Sequence, residues 1–571
     1  MGPKWLKTGL ANAIPALLLL TSGAVLFSSS GRDDAHITYW AAYAISHFGK
    51  IVNYSGEFVE QSSSLLQVLF LATINRLTGF NIVTLGKLSS IIFGSAILPL
   101  TYFLTRETKN ARIGIYATLI ICLSTPLVYW SFSGMESTLT ALILLLTIFF
   151  LGKILSQKRS VGNLIWAFFW IFLLEISRPE MPVLVISALS SLSIFLLSFR
   201  SRREKFSIAG TAALLTVIAA AGFGLLAGFR WWYFHSFFPQ PVIAKSSHIQ
   251  LETIRQGINY FTNFLSNPGN FILAVLAAVG MGLTIFGFFR RDILNITLLL
   301  AGVILAGYTA FIIVSGGDWM EGGRFFVPII PLAGIFAAMT LERFLKEKRL
   351  ALLAIGAVML IQFIGLIQFS HTFSTGVSLG TKTDLNVNNL DKFSTFELHN
   401  QVNLRDIPLY TFLDKTTQAI IAAKKDKVIL LSGQMGFVPY HLAQKYFGQI
   451  MIIDRRGLAD RRVTDCELTT NIPRSATGIK FTYAFFFDHL SDFESCQIPA
   501  PDIIFDIGSL KAAELSNDYV IAYQQQGQVN FQTLWQQAPL DASAFIIVRR
   551  EYMKTLGLSG TASYDFNQGT R

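Results

Sequence analysis

The chain has 571 residues, 52% of them hydrophobic and only 14% charged, and a formal net charge of +11 at pH 7. A soluble domain usually carries about 25% charged residues, so the composition excludes an ordinary soluble protein and indicates an integral membrane protein. The chain contains no P-loop or Rossmann fingerprint. Its positive charge is concentrated in short connections between apolar runs, which argues against a nucleic-acid partner.

About eleven apolar runs, each close to the roughly 20 residues that cross a bilayer core, predict membrane-spanning helices. They lie at 9–28, 83–104, 111–130, 137–153, 161–177, 181–199, 207–229, 270–289, 293–314, 325–343 and 350–369. The first run ends in small residues and could be a cleaved secretory signal. Because further spans follow, we expect an uncleaved first helix.

Lysine and arginine residues are concentrated in every second connection between these runs, and this bias predicts the orientation of a polytopic protein. With the N-terminus in the cytoplasm, the cytoplasmic connections hold Arg106, Lys109, Arg112, Lys153, Lys158, Arg159, Arg200, Arg202, Arg203, Lys205, Arg290, Arg291, Arg343, Lys346, Lys348 and Arg349. We therefore predict a transmembrane domain over 1–370, with a structured first outer loop at 30–82. A soluble, extracytoplasmic domain is predicted over 371–571.

Two adjacent aspartates, Asp33 and Asp34, follow the first span. Beyond them, apolar residues recur at helical spacing from Ile37 to Phe48. This predicts a helix lying in the membrane interface with both carboxylates in its first turn. Such carboxylates also have a structural explanation, because an acidic first turn stabilises the helix macrodipole and an aspartate can be the N-cap.

The loop continues as GKIVNYSGEFVEQSSSLL, where polar residues and glycines interrupt an apolar setting. The whole segment 33–66 resembles the first periplasmic loop of GT-C type, polyprenyl-phosphate-dependent glycosyltransferases. Its resemblance is greatest to their arabinofuranosyltransferase-like branch, which includes the terminal arabinofuranosyltransferases of mycobacterial cell walls. Further elements recur in the family's order: SGMES at 133–137, SRPE at 177–180, RWWYFHSFFPQPVIAKS at 230–246, SGGDWMEGGRFFVP at 315–328 and IDRRGLADRRV at 453–463. The chain departs from the family pattern at His235 and Gln240, which bears on the identity of the sugar.

The resemblance implies a GT-C fold of about eleven transmembrane helices with an appended periplasmic domain, in a bacterial inner (plasma) membrane. It also implies transfer of a sugar, above all arabinofuranose, from a polyprenyl-phosphate donor to an exported glycan or glycoprotein. A transporter or flippase of a lipid-linked glycan is the alternative, since it too needs many spans and buried charge. Transporters usually show internal repeats and polar groups at mid-membrane, and the sequence shows neither.

A lipid-phosphate sugar carries its own leaving group. The reaction therefore needs a carboxylate to accept the proton of the acceptor hydroxyl and cations to stabilise the departing phosphate. The resemblance places the catalytic carboxylate in the pair Asp33 and Asp34, usually first. The second acid then tunes the pKa of its neighbour or binds sugar hydroxyls. Two adjacent acids can also hold a divalent cation such as Mg²⁺, Mn²⁺ or Ca²⁺, a point that the sequence leaves open.

We expect Lys245, Arg324 and Arg178 to bind the donor phosphate. Each lies at the outer end of a span, where a cation is costly unless it is paired or functional. Snorkelling to the interface is the structural alternative, and it accounts for Arg230. Arg324 follows a glycine-rich acidic turn that lets the backbone approach a ligand closely, although Asp318 of that turn could simply pair with it.

The candidate residues for sugar or acceptor binding are polar side chains of the outer segments: His36, Glu57, Glu60, Glu136, Glu180 and Asp318. Several of them have structural alternatives. Glu136 could cap a helix, Glu180 could pair with Arg178, and His36 could be a satisfied interfacial histidine. The aromatic run Trp231–Tyr233 is interpreted first as an interfacial anchor and second as a stacking platform for a sugar.

Apolar runs of strand character recur in the last part of the chain, at 427–433, 449–454, 483–488, 502–508, 518–523 and 544–550, with a helical stretch at 438–447. They predict a compact mixed α/β domain without a clear catalytic constellation, so accessory acceptor recognition or structural bracing is expected. Cys466 and Cys496 both fall in this exported part, where disulfides form, and we expect them to pair. Cys122 lies in a span, and no Cys/His spacing indicates a zinc site.

Overall fold

The computed structural model of the protein shows a bundle of helices followed by a mixed sheet. It describes residues 4–27, 33–105, 111–156, 160–197, 203–245, 251–290, 296–318, 320, 322–374, 378–379, 408–424, 426–433, 435–466, 496–508, 519–532 and 537–557. The strand predicted at 483–488 lies outside these residues. So do several of the predicted cytoplasmic cations, namely Arg106, Lys109, Lys158, Arg159, Arg200, Arg202 and Arg291.

The helices of the bundle follow one another with short connections. In chain order they are α1 (Lys4–Phe27), α2 (Ala35–Phe48), α3 (Leu65–Thr78), α4 (Ile82–Thr105), α5 (Ala111–Ile121), α6 (Thr125–Ser131), α7 (Ser137–Ser156), α8 (Val161–Glu175), α9 (Met181–Leu197), α10 (Arg203–Phe234), α11 (Gln240–Lys245), α12 (Leu251–Ser266), α13 (Pro268–Arg290), α14 (Ile296–Val314), α15 (Ile330–Phe344) and α16 (Lys348–Ser374). A short 3-10 helix, Arg324–Ile329, leads into α15. The domain boundary predicted at residue 370 falls inside α16.

The polytopic helical architecture is confirmed. Within the described residues, seven helical segments are long and apolar enough to cross a membrane: Ile82–Thr105, Ser137–Ser156, Phe206–Phe234, Pro268–Gly287, Ile296–Val314, Arg324–Phe344 and Lys348–Ser370. The bent pair α5 and α6 makes an eighth if it is one broken span. The three other predicted spans coincide with shorter apolar helices. Of these, α9 has 17 residues and is therefore about 26 Å long at 1.5 Å per residue.

The break between α5 and α6 turns the chain by 70°. Pro126 lies in the first turn of α6, where its missing N–H costs nothing because the first N–H groups of a helix have no intrahelical partner. The 70° bend redirects the chain after Ile121. Trp130, near the end of α6, donates its indole N–H to the carbonyl of Gly322 at 2.9 Å. The bend thus connects α6 to the turn before α15.

Small residues allow the central helices to pack closely, as is usual between membrane helices. Gly280 of α13 lies against the backbone of Phe336 in α15, and Gly334 of α15 lies against Ile121 of α5, with no space for a Cβ atom in either place. Thr340 donates a hydrogen bond to the Leu276 carbonyl of α13 at 2.7 Å. These contacts make α15 the centre of the bundle.

The helix predicted after the acidic pair forms as α2, and other parts of the protein cover most of it. Its first eight residues and Ala44 are buried, whereas His47 and Phe48 at its end are exposed. Trp40 packs at a tilt against Tyr54 and Phe447, and its indole donates to the Val52 carbonyl at 3.0 Å. A segment from the far end of the chain, which includes Tyr440 and Phe447, packs on this helix. The helix begins at Ala35, so both aspartates precede it.

The C-terminal part of the chain forms a six-stranded mixed sheet flanked by helices, within the described residues. Its elements are β1 (Ser378–Leu379), α17 (Pro408–Ala423), β2 (Val428–Ser432), α18 (Phe437–Tyr446), β3 (Ile450–Asp454), α19 (Arg461–Asp465), β4 (Ile503–Gly508), β5 (Tyr519–Gln532) and β6 (Gln537–Arg549). The strand order is β1-β5-β6-β4-β2-β3, with β2 parallel to β3 and β4 and the other pairs antiparallel. Five of the predicted strands and the predicted helix are present.

One end of the bundle carries α2, α3 and the turns at 132–136, 176–180 and 315–323, and the sheet docks on this end. We call it the junction end. Tyr39 donates to the Gly134 carbonyl at 3.0 Å, and Leu66 N–H donates to the Ile176 carbonyl at 3.0 Å. A single cluster of buried apolar side chains runs from the bundle into α17, α18 and the sheet. The polar segments that are distant in sequence therefore meet at one place.

Candidate active site at the junction end

The two adjacent aspartates have different surroundings. Asp33 is 9% exposed, and its Oδ1 accepts the backbone N–H of Phe437 at 2.7 Å, 404 residues later in the chain. Asp34 is only partly buried. It occupies the N-cap position of α2, but its side chain makes no capping hydrogen bond there. N-capping of α2 by a side chain therefore does not explain Asp34.

Lys245, the last residue of α11, lies among the other charged candidates. Burial lowers the pKa of its amine, and the positive charge of Arg324 and then of Arg178 lowers it further. The carboxylates of Asp318 and Asp34 act in the opposite direction. Lys245 has no carboxylate within ion-pair distance among the described residues. A partly buried cation without a close counter-ion is costly, so this position is suited to an anionic ligand.

Arg324 pairs with Asp318, with 2.7 Å between Nε and a carboxylate oxygen, and both side chains are buried. The guanidinium also lies over the rings of Phe325 and Trp130, at 5.3 and 5.9 Å from the ring centroids. Gly323, directly before it, has φ +65°, a left-handed conformation that glycine adopts without strain. The predicted alternative of an Asp318–Arg324 pair is thus the arrangement in the structure.

Arg178 belongs to a buried network. Its guanidinium donates to both Glu136 and Glu180, and the Tyr308 hydroxyl donates to Glu180 at 2.9 Å. Glu136 also accepts from Ser63 at 3.3 Å, so it does not serve simply as a helix cap. Two carboxylates engage Arg178 through its Nε and one terminal nitrogen, and phosphate binding by its other N–H groups stays a prediction. Arg178 also holds the turns 132–136 and 176–180 together.

The ring of Phe325 contacts both arginines, with Arg178 at 5.0 Å and Arg324 at 5.3 Å from its centroid. The backbone N–H of Phe325 donates to the Tyr260 hydroxyl of α12 at 3.4 Å. Sequence reasoning missed Tyr260 and Tyr308. Tyr308 lies in an apolar predicted span, and Tyr260 lies in the outer segment 230–269, where no helix was predicted.

Glu60 and Arg230 form a second buried pair, with guanidinium–carboxylate hydrogen bonds of 2.7 and 3.0 Å. Each side chain is 3% exposed. The expectation that Arg230 snorkels to the interface is therefore wrong. The carboxylate of Glu60 is bound by Arg230, and the backbone carbonyl of Glu60 accepts the Gln240 N–H at 2.9 Å. Glu60 thus joins the first loop to α10 and α11, and Arg230 engages both of its carboxylate oxygens.

Glu57 faces the sheet instead of the bundle. Arg462 donates to its carboxylate at 3.0 Å, and Asn53 donates both to Glu57 and to the Ala459 carbonyl at 3.0 Å. Gln240 of α11 donates to the Gly457 carbonyl at 2.9 Å. The segments 53–60 and 453–463, which both contributed to the family resemblance, are therefore direct neighbours across about 400 residues of chain.

His36 is fully buried beside Asp33, where its Nδ1 lies 3.2 Å from the Asp33 carbonyl oxygen. The rings of Phe437, Tyr440 and His441 surround it, so it packs inside the protein and not at an interface. Trp231 and Trp232 are exposed, at 53% and 72%, as an interfacial anchor requires. Tyr233 differs, because its hydroxyl accepts the Ile51 N–H at 3.0 Å.

Cys466 and Cys496 form a disulfide, and Cys122 is free and buried. For a divalent cation, the described residues offer no group of three or more His, Cys, Asp or Glu side chains at ligand spacing. One oxygen of the acidic pair is already bound to a backbone N–H. A divalent cation at the acidic pair stays a prediction, and no reaction step is assigned to one.

No protein-family model and no curated protein sequence matches the chain. Among solved structures it matches the oligosaccharyltransferase AglB of Archaeoglobus fulgidus, determined with an inhibitory peptide and a dolichol-phosphate, with TM-score 0.53 and 11% identity over 88% of this chain and 69% of that one. It also matches ArnT of Cupriavidus metallidurans, bound to undecaprenyl phosphate (TM-score 0.47, 11% identity, 93% and 97% covered), and the mycobacterial arabinofuranosyltransferase AftD (TM-score 0.43, 12% identity, 95% and 42% covered). The last two likenesses are too weak to support any conclusion. The first shows the fold alone: the chain has a GT-C type membrane fold with a small C-terminal sheet.

Proposed function

We propose that the protein is a membrane glycosyltransferase that moves a sugar from a polyprenyl-phosphate donor to an acceptor hydroxyl. The observation that carries the proposal is the position of Lys245 among Asp34, Arg324 and Asp318 at the junction end. A cation without a close counter-ion and a partly exposed carboxylate are the two groups that this reaction needs. They lie together, although they come from separate elements.

In the proposed reaction, the acceptor oxygen forms a bond to the anomeric carbon while the bond between that carbon and the phosphate oxygen breaks. Asp34 accepts the acceptor proton as the general base. The departing lipid phosphate gains one negative charge, which Lys245 and, through its remaining N–H groups, Arg324 stabilise. No nucleotide is required, because the phosphate itself is the leaving group.

Asp34 is preferred to Asp33 as the base on structural grounds. The Asp33 carboxylate is buried and bound to the backbone of α18. Asp34 is more exposed, and its negative charge interacts with the Lys245 amine. A base must reach the acceptor, and a group with partial access to solvent meets that condition. The choice reverses the order implied by the family resemblance.

The donor class rests on the fold and on the resemblance. The A. fulgidus protein with the same fold was determined with a dolichol-phosphate, a polyprenyl-phosphate lipid, and the phosphate of such a lipid would meet Lys245. Arabinofuranose as the sugar, and an exported glycan or glycoprotein as the acceptor, follow from the resemblance of segment 33–66. The positive charges of the connections support a junction end outside the cytoplasm. A bacterial inner membrane, and residues 371–571 as an accessory domain, are part of the proposal. The charged groups gather at one end of the bundle, which supports an enzyme over a transporter.

The test is a transfer assay with purified protein, synthetic polyprenyl-phosphoryl-arabinofuranose and an arabinan acceptor, with polyprenyl-phosphoryl-mannose as the comparison donor. Lys245→Ala should weaken donor binding and lower transfer by about 100-fold, the usual effect of removing one group that stabilises developing charge. The matched control is Arg255→Ala, which removes an exposed cation from α12 and should leave both unchanged. Absence of binding and transfer with every lipid-phosphate sugar would reject the proposal.

A further inference from the structure

The connection between β2 and α18 has the sequence SGQMGF. The structure describes all of these residues except Gln434, and Gly436 and Phe437 contact Asp33 directly. Gly433 N–H donates to the Phe505 carbonyl of β4 at 2.9 Å, which fixes the start of the turn on the neighbouring strand. Gly436 lies so close to Asp33 that a Cβ atom at this position would collide with the backbone and the carboxyl carbon of the aspartate. Glycine is therefore required here for close approach and not for a turn conformation.

The position of this turn in the sheet is informative. The parallel strands have the order β3-β2-β4, so the chain passes from β2 to β3 on one side and later reaches β4 on the other. The carboxyl end of β2 is therefore at the topological switch point, where open α/β sheets bind ligands in a crevice. The first N–H groups of the following helix point into that crevice and favour an anion.

In this protein the carboxylate of Asp33 occupies the position of such an anion. It accepts the N–H of Phe437, the first residue of α18, at 2.7 Å. Tyr54 flanks the contact and donates to the Met435 carbonyl at 2.7 Å. The membrane part thus supplies a ligand to the crevice of the sheet.

The geometry points to a positioning role for Asp33. We infer that Asp33 binds the C-terminal sheet as a built-in anionic ligand and thereby fixes the next residue, Asp34, opposite Lys245. Two contacts fix the backbone of Asp34. The preceding residue, Asp33, is bound to Phe437 through its carboxylate. The carbonyl of Asp34 itself accepts the Ile37 N–H at 3.2 Å. The inference rests on the proposed function for the role of Asp34, but the docking of Asp33 does not depend on that function.

Other contacts keep the sheet in place when this bond is lost, so a variant at Asp33 should fold. Ser55 donates to the Ile452 carbonyl of β3 at 2.8 Å and accepts its N–H at 3.0 Å. Gln240 holds the 457–464 segment through three acceptors. The expected loss is therefore local to the turn 433–437.

The experiment compares Asp33→Ala with Asp33→Asn in full-length protein, because asparagine keeps an oxygen for the Phe437 N–H but cannot act as a base. Two quantities are measured: the hydrogen-exchange rate of the Phe437 amide and the rate of arabinofuranose transfer. Asp33→Ala should exchange roughly five- to tenfold faster at Phe437, the effect of losing a capping side chain. Asp33→Asn should keep the protection and transfer sugar at least about tenfold faster than Asp33→Ala. In Gly436→Ala the new methyl group would displace Asp33 from the sheet side of the contact. This variant should show the same faster exchange and slower transfer as Asp33→Ala.

Two results would overturn the inference. Equal exchange of Phe437 in wild type and Asp33→Ala would show that the contact does not hold the turn. Loss of transfer in Asp33→Asn to the level of Asp33→Ala, with Phe437 still protected, would show that Asp33 is itself the base. If wild type transfers no sugar from any donor, the proposed function fails. In that case the exchange rate of Phe437 alone decides whether Asp33 binds the C-terminal sheet.

Discussion

Glu60 and Arg230, 170 residues apart, are joined by two hydrogen bonds in the interior of the protein. Breaking a buried ion pair by removing one partner leaves an uncompensated charge and costs about 3–5 kcal/mol. We therefore expect Glu60→Leu and Arg230→Met each to destabilise the protein by this amount, measured by thermal or denaturant unfolding in detergent. The double variant should be less destabilised than the sum of the two single variants.

A control for this experiment is Glu57→Gln, since Glu57 is 41% exposed and its partner Arg462 is 23% exposed. Exposed pairs contribute about 0–1 kcal/mol, so unfolding should hardly change. If instead Glu60→Leu unfolds like wild type and only raises the KM for the donor or acceptor, Glu60 binds sugar and the structural assignment is wrong.

The position of Lys245 predicts how donor binding depends on pH. Burial and the neighbouring arginines lower the pKa of this amine, so it loses its charge at a lower pH than an ordinary lysine, whose pKa is about 10.4. The phosphate prefers the charged form, and donor affinity should therefore fall as the pH rises through this lowered value. In Lys245→Arg the fall should disappear, because arginine stays protonated. An identical pH profile in both proteins would exclude Lys245 from the phosphate site.

The disulfide between Cys466 and Cys496 links residues separated by 30 positions. Closing a loop of this length stabilises a fold by about 3–4 kcal/mol in the chain-entropy description. Cys466→Ser with Cys496→Ser should lower stability by about this amount. A reductant should lower the unfolding temperature of wild type and leave the double variant unchanged. Equal unfolding temperatures with and without reductant would show that the bond is not formed in the cell that produces the protein.

The orientation in the membrane can be tested with single cysteines at two exposed lysines. Lys445 of α18 is 48% exposed on the sheet side, and Lys346 is exposed in the connection between α15 and α16. In intact cells, a membrane-impermeant maleimide should label Lys445→Cys and not Lys346→Cys. The natural cysteines do not interfere, because two are disulfide-bonded and one is buried. The reverse labelling would invert the topology and place the site in the cytoplasm.

The elements of the fold could be predicted from local patterns. Apolar runs marked every helix of the bundle that is counted as a span, and short β-branched runs marked the strands β2 to β6. The two local ion-pair alternatives, Arg178 with Glu180 and Arg324 with Asp318, are both present because each pair is separated by only a few residues. Periodicity and short spacing were sufficient for these features.

The long-range relationships could not be predicted. The hydrogen bond from Phe437 to Asp33 joins residues 404 positions apart, and no sequence pattern near Asp33 predicts it. The same is true of Arg230, whose partner lies in another loop, and of α2, which has an amphipathic pattern but is covered by α18. An exposed interfacial helix and a helix covered by a distant segment have the same local periodicity. Only the tertiary structure distinguishes them.

The central claim is that Asp34 accepts the acceptor proton. Its most direct test is Asp34→Asn, compared with wild type for binding of polyprenyl-phosphoryl-arabinofuranose and for single-turnover transfer, with Glu252→Gln, an exposed carboxylate on α12, as the control. We predict that Asp34→Asn binds the donor within a few-fold of wild type and transfers sugar about 100-fold or more slowly, the usual contribution of a general base. Transfer by Asp34→Asn at the wild-type rate would contradict the account.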